Sequence, residues 1–175
     1  MAERVEIVAY DGTWPAAFRA IAAQLATQLG NRVVSIEHIG STSVPGLSAK
    51  PLIDIDVTLR DVAAVAEGCA IMTAAGYEPR GNRYDREVFA FMDRKTSPKQ
   101  RIYLCPEGSD THRRRILFRD YLRANPEKAR AYEALKRRLA AEFTHDGDAY
   151  TAAKAGFVDD VVDLACATTA SVSAG

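Results

Sequence analysis

Glu37-His38-Ile39-Gly40-Ser41-Thr42-Ser43-Val44-Pro45-Gly46-Leu47-Ser48-Ala49-Lys50-Pro51-Leu52-Ile53-Asp54-Ile55-Asp56 carries one apolar run into another through a short Ser/Thr/Pro/Gly segment. The first run begins at Val33 and stops at Gly40-Ser41. The second alternates, with Ile53, Ile55, Val57 and Leu59 on one side and Asp54, Asp56 and Thr58 on the other. That is a strand, a small loop and a half-buried acidic strand. Both carboxylates leave one face, and alternate strand residues lie roughly 6.5 to 7 Å apart, close enough to share one divalent cation or bracket two. Two like charges on one face repel unless a cation or a basic partner balances them. The backbone N–H groups and hydroxyls of Gly40, Ser41 and Thr42 offer an anion site opposite the acids. Asp54 and Asp56 holding Mg²⁺, with phosphates on the loop, is the apparatus of phosphoryl or nucleotidyl transfer.

This stretch, with Phe118-Arg119-Asp120-Tyr121-Leu122-Arg123 and Tyr132-x-x-x-Lys136, resembles the signature of the GrpB family (UPF0157-type). The resemblance begins near Val5 and reaches about Ala165. It implies an α+β fold similar to the nucleotidyltransferase (DNA polymerase beta-like) superfamily, a mixed β-sheet flanked by helices with a helical C-terminal part. It also implies relatives appended to dephospho-CoA kinase as an accessory domain. The superfamily usually places a third carboxylate on a later strand. Arg101-Ile102-Tyr103-Leu104 carries none, Glu87 and Asp93 only flank the preceding run, and many family members have histidines where Arg101 and Tyr103 stand.

A chain of 175 residues, 47% hydrophobic, has the material for one core. One domain is expected over residues 1–167, with its helical part from about residue 111 and a flexible tail over 168–175. Cys69, Cys105 and Cys166 lie far apart within apolar runs, without C-x-x-C spacing, and read as reduced core residues. With no export signal and no apolar run long enough to span a bilayer, a cytoplasmic protein away from the membrane is expected. A formal net charge of +0 argues against a general nucleic-acid coat. The charge is uneven, however: residues 94–138 hold 14 basic and 5 acidic side chains, leaving 9 basic and 18 acidic elsewhere. An acidic metal-site half faces a basic half, with room for a triphosphate between them.

Along the chain, residues 5–10 read as a short edge strand, and helices are expected from Trp14 to Gly30 and from Asp61 to Ala75. Trp14 is a hydrophobic anchor or a base-stacking ring. His38 orients a phosphate or metal-bound water, or is a hydrogen-bonded structural residue. Lys50 meets substrate phosphate, pairs with Asp54 or Asp56, or is solvated. Gly81–Arg86 reads as a hairpin loop or flap, and Val88–Met92 and Arg101–Cys105 as strands. Three further helices are expected over Thr111–Ala124, Pro126–Phe143 and Asp148–Ala165. The first aligns Arg115, Arg119 and Arg123 on one face, and the others carry Tyr132-x-x-x-Lys136 and Tyr150-x-x-x-Lys154, pairs one turn apart that suit base stacking and phosphate contact.

No P-loop, no G-x-S-x-G and no zinc spacing among His38, His112 and His145 is present. The leading expectation is an enzyme that binds a nucleoside triphosphate through Gly40, Ser41, Thr42, Lys50, Arg119 and Lys136, and transfers NMP to an unknown acceptor using Asp54, Asp56 and Mg²⁺. The second is a non-catalytic nucleotide- or partner-binding accessory domain, which the missing third acid favours. The third is binding of structured RNA through the Arg115–Arg138 surface.

Overall fold

The structure is a computed structural model that describes residues 4–82 and 87–173. The first helix, α1 (Trp14–Leu29), turns Ile21, Leu25 and Leu29 to one side at helical spacing and ends at Gly30, whose φ of 60° leaves the helical region. Strand β1 (Val33–Ile39) follows, then the Gly40–Ser43 turn and the acidic strand β2 (Leu52–Leu59). Helix α2 (Val62–Ala74) is capped by Asp61, whose side chain accepts from the Ala64 N–H at 2.8 Å. Strands β3 (Glu78–Asn82), β4 (Phe89–Asp93) and β5 (Lys99–Pro106) precede four helices: α3 (Asp110–Ala124), α4 (Pro126–Glu142), α5 (Gly147–Ala152) and α6 (Ala155–Ser173).

The five strands form one mixed sheet in the order β1-β2-β5-β4-β3, in which only β2 and β5 run parallel. Alternation then assigns the two faces. Ile53, Ile55, Val57 and Leu59 are fully buried with Ile102 and Leu104 against Leu25 and Leu29 of α1 and Val65 and Met72 of α2. Each such side chain contributes about 1.5–3 kcal/mol on burial. Gly68 lets α2 lie close, because a Cβ there would stand 2.9 Å from Leu59 Cδ1. The opposite face presents Asp54 and Asp56 of β2 beside Arg101 and Tyr103 of β5 in register; α3 packs over part of it, and α6 packs against α3.

The α+β class and the mixed sheet with a helical C-terminal part are as expected. Several local readings differ. Residues 5–10 form no strand; Val8 and Ala49 make an isolated bridge instead. Strand β3 holds Gly81 and Asn82, and the rest of the expected 81–86 loop lies outside the described residues. The single helix expected over Asp148–Ala165 is two, parted at Ala153–Lys154, and α6 reaches Ser173. Trp14 is buried edge-on to Tyr10, as an anchor is. Cys105 is buried and Cys69 partly so, but Cys166 is exposed rather than in the core. Among the described residues no helix is long and apolar enough to cross a membrane.

Candidate functional site

Strand β1 ends where the chain must fold back over β2. Gly40 takes φ 70° and ψ −172°, and a Cβ there would lie 2.7 Å from Asp54 Oδ2, so only glycine lets the turn sit against the carboxylate. The turn is tied internally: the Ser43 hydroxyl donates to Gly40 O at 2.6 Å, and the Thr42 hydroxyl donates to Leu52 O at 3.2 Å. His38 Nε2 lies 2.9 Å from that same Thr42 hydroxyl, and its ring stacks on Phe18 at 4.8 Å. Burial holds the imidazole well below its ordinary range, at about 4, so it is a neutral hydrogen-bonding group at pH 7. Ser41 meets the buried phenol of Tyr132, whose pKa burial raises.

The two acids share a face but have separate partners. Asp54 Oδ1 accepts from Arg101 Nε at 2.7 Å and stays partly open to solvent. Asp56 is 0% exposed; Arg115 Nη1 donates to its Oδ1 at 2.6 Å, and His112 Nδ1 lies 2.9 Å from its Oδ2. Arg115 also lies over the Tyr103 ring, 3.9 Å from the centroid. The like-charge repulsion along β2 is therefore relieved by basic side chains. Asp56, expected as a free metal ligand, has both oxygens engaged. Buried Cys105 forms a group with buried Asp56 and half-buried His112 whose donor atoms lie within 4.8 Å of one another.

Helix α3 supplies Arg115 as one rung of three. Arg119 Nη1 donates to Glu37 Oε2 at 2.7 Å and to His38 O at 3.0 Å, and its Nε to Asp120 Oδ1 at 2.7 Å. Arg123 donates twice to Ser43 O, at 3.0 and 2.8 Å. Of the guanidinium row read as a ligand or RNA surface, Arg115 and Arg119 are turned inward and Arg123, itself exposed, reaches back to the turn, so this row pins α3 to β2, β1 and the turn.

Beside Asp54 lies a cavity of about 240 Å³ between the sheet, the turn, α4 and α5. Among its described lining residues Lys50, Arg80, Arg94, Arg101, Lys136 and Lys154 are cationic and Asp54 and Asp148 acidic. Lys136 is 1% exposed and donates to Ser48 O. Burial, then the nearby Lys154, brings its pKa down to about 7. Burial, then Lys50, brings Lys154 down to about 8. The ammonium groups of Lys50 and Lys154 lie 4.4 and 4.2 Å from the centroid of one ring, Tyr150, whose pKa burial pushes up to about 12. Lys136 lies 5.0 Å from the Tyr132 ring; Lys136, Tyr150 and Lys154 line this hollow, whereas Tyr132 lines the adjoining one.

Of the residues singled out from the sequence, Ser41, Thr42, Lys50, Asp54 and Lys136 line this cavity, while Asp56 and Arg119 do not. Gly40 lines an adjoining hollow that also has Asp54 in its wall. Arg80, Arg94 and Arg101 were not foreseen as lining residues. Arg101 had a signal, since it alternates with Tyr103 on the strand paired to β2. Arg80 lies within β3 and Arg94 directly follows β4, and only the sheet order brings them to the rim.

With this geometry in place, residues 4–163 match the family described as GrpB protein. The UPF0157 protein YqkA of Bacillus subtilis is 35% identical over 79% of this chain, which spans only 40% of YqkA. The crystal structure of conserved protein GrpB from Enterococcus faecalis superposes with a TM-score of 0.84 at 28% identity, covering 94% of this chain and 99% of that one. The Cid1 poly(U) polymerase with Mg 3′-dATP bound gives a TM-score of 0.51 at 13% identity over 76% of this chain and 41% of that one, a likeness of fold. A region of the dephospho-CoA kinase of Mycolicibacterium paratuberculosis, 43% of its length, is 31% identical over 86% of this chain.

Proposed function

The chain belongs to the GrpB family, and from that premise we propose that it binds a nucleoside triphosphate, or a ligand with the same polyphosphate, in the cationic cavity. The observation that carries this is the crowding of six lysine and arginine side chains, among the described residues, around one small hollow, with the Lys136 and Lys154 ammonium groups desolvated toward neutrality. Like charges held together out of water are unfavourable, and a polyanion entering the hollow relieves both the repulsion and the desolvation. Ser41 and Thr42 close the cavity on the turn side, Lys50 and Arg101 on the strand side, and Lys136 and Lys154 at its helical wall. Arg119 acts at one remove, by fixing β1 and α3.

Mg²⁺ is the ion that the fold and the acidic strand bring forward. The donor set does not fit it: both Asp56 oxygens are hydrogen-bonded in a fully buried site, Asp54 is paired to Arg101, and β5 carries Arg101 and Tyr103 toward the acids. The function we infer is therefore binding without NMP transfer. That is the kind of module that the GrpB-like region of a dephospho-CoA kinase would supply.

Calorimetric titration with nucleoside triphosphates in EDTA and in Mg²⁺ tests the reading. Binding in EDTA that weakens in Lys154→Met supports it. Absence of binding by any triphosphate, or pyrophosphate release that requires Mg²⁺ and is lost in Asp54→Asn, overturns it.

A further inference from the structure

Asp56, Cys105 and His112 come from three elements and meet at one point. Asp56 and Cys105 project from the polar face of the parallel pair β2–β5, offset by two residues, since Asp56 stands opposite Tyr103 and Thr58 opposite Cys105. His112 enters from the first turn of α3, where the Ser109 hydroxyl accepts from its backbone N–H at 3.4 Å. One donor atom from each, a carboxylate oxygen, a thiol sulfur and an imidazole nitrogen, lies within 4.8 Å of the other two. Asp56 and Cys105 are fully buried, while the His112 side chain keeps 20% of its surface exposed and gives the group a side toward solvent.

The donor set decides which ion it suits. Mg²⁺ asks for about six oxygens, whereas one sulfur, one nitrogen and one carboxylate oxygen suit a four-coordinate, thiophilic ion such as Zn²⁺. The misfit of Mg²⁺ to the acidic strand therefore does not extend to this group. Tetrahedral ligands at bonds of about 2.0–2.3 Å stand roughly 3.3–3.7 Å apart. The 2.9 Å contact between His112 Nδ1 and Asp56 Oδ2 has to open slightly, and the sulfur has to draw in by about 1 Å. Cys105 donates to Val57 O at 3.5 Å and lies 3.9 Å from Thr58 Oγ1, weak sulfur contacts that the thiol gives up at little cost.

Arg115 supplies the outer support. Its Nη1 holds Asp56 Oδ1 at 2.6 Å, which leaves Oδ2 turned toward His112. A carboxylate fixed through one oxygen and offering the other is oriented as metal-ligating carboxylates are. The charge of Zn²⁺ is matched by the Asp56 carboxylate and a Cys105 thiolate together. The Arg115 guanidinium then rests on the face of Tyr103, 3.9 Å from the ring centroid.

We propose that Asp56, Cys105 and His112 form a site for a thiophilic divalent cation of the Zn²⁺ class, with water in the fourth position on the His112 side, clamping α3 to the sheet. Binding replaces the Cys105 S–H bond by a sulfur–metal bond and releases that proton to solvent. In the neutral His112 ring the Nδ1 hydrogen passes to Nε2, so the imidazole binds without a further proton leaving. The site is independent of the polyphosphate cavity.

Co²⁺ and Zn²⁺ alone are the probes, titrated into the reduced full chain. One equivalent of Co²⁺ gives the intense visible bands of tetrahedral cobalt and a thiolate-to-cobalt charge-transfer band in the near ultraviolet, and Zn²⁺ displaces both. Cys69→Ala and Cys166→Ala keep the charge-transfer band and Cys105→Ala loses it. His112→Ala, at a half-buried position, weakens Co²⁺ at least tenfold and decides the matter if the buried Cys105 variant melts early. A wild type without a charge-transfer band, a band carried by Cys69 or Cys166, or Co²⁺ affinity unchanged in His112→Ala overturns the site.

Discussion

Arg101 Nε donates a 2.7 Å hydrogen bond to Asp54 Oδ1 across the parallel β2–β5 register, where a second acid would be needed for the two strands to share a cation. Paired residues on neighbouring strands stand about 5 Å apart, so Arg101→Asp would set two carboxylates face to face. They would repel without a counterion and bind one readily. We predict that Arg101→Asp is destabilised in EDTA and regains about 1.4 kcal/mol with Mg²⁺ at ten times its dissociation constant. The wild type should not respond. Thermal melts of both proteins with and without Mg²⁺ decide, and an equal response would show that Asp54 already holds the ion in the native chain.

Asp56 carries a different expectation. Removing one partner of a buried ion pair leaves the other charge desolvated and uncompensated, which typically destabilises by about 3–5 kcal/mol. Asp56→Ala strands Arg115, which is tied to Asp56 at 2.6 Å. We predict a loss of about 3 kcal/mol in urea unfolding, with much of it recovered in Asp56→Ala/Arg115→Met because neither charge then remains. A loss below about 1 kcal/mol would mean that the carboxylate is not a structural anchor.

These two acids also mark the limit of what could be read from residues alone. Strand β2 was legible because one face is wholly buried, which imposes strict alternation, and α1 because Ile21, Leu25 and Leu29 keep helical spacing. Strand β3 was not, since an edge strand holding Pro79 and Gly81 needs no apolar pattern and is bulged between them. Spacing along α3 put Arg115, Arg119 and Arg123 on one face, yet said nothing of what that face meets. The Arg115–Asp56 contact joins residues 59 apart and exists only once α3 lies over the sheet. Motif reading found Ser41, Lys50, Asp54 and Lys136 because they sit in or beside the turn or in a repeated Tyr-x-x-x-Lys spacing. Arg80 and Arg94 belong to the same wall through strand order alone.

Gly40 and Gly46 separate backbone strain from steric conflict. Both have positive φ, 70° and 79°, but a Cβ at Gly40 meets Asp54 Oδ2 at 2.7 Å whereas one at Gly46 meets nothing within 4 Å. Gly46→Ala should lose about 1–2 kcal/mol from conformation alone. Gly40→Ala adds displacement of Asp54, so we predict a larger loss of stability and at least tenfold weaker ATP binding, beyond what Gly46→Ala shows. Equal effects of the two substitutions on binding would remove the close approach of turn and carboxylate from the account of the site.

Lys136 and Lys154 set the response to pH. Their folded pKa values, about 7 and about 8, lie below the ordinary 10.5, so between those limits the unfolded chain holds protons that the folded one has released. Stability then rises with pH across that window and is lost as pH falls through 8 and 7, where burial must accommodate charged ammonium groups. His38, lowered from 6.5 to about 4, repeats the sign at acid pH: its contribution is complete above 6.5 and falls away toward 4. Ligand binding runs the other way. A polyphosphate in the cavity favours the ammonium forms, so binding takes up protons near pH 8 and affinity falls as pH rises from 7 to 9. Calorimetry in buffers of different ionisation enthalpy measures that uptake directly. Lys154→Met should reduce it, and ATP affinity that stays flat from pH 7 to 9 in the wild type would place the polyphosphate away from these two lysines.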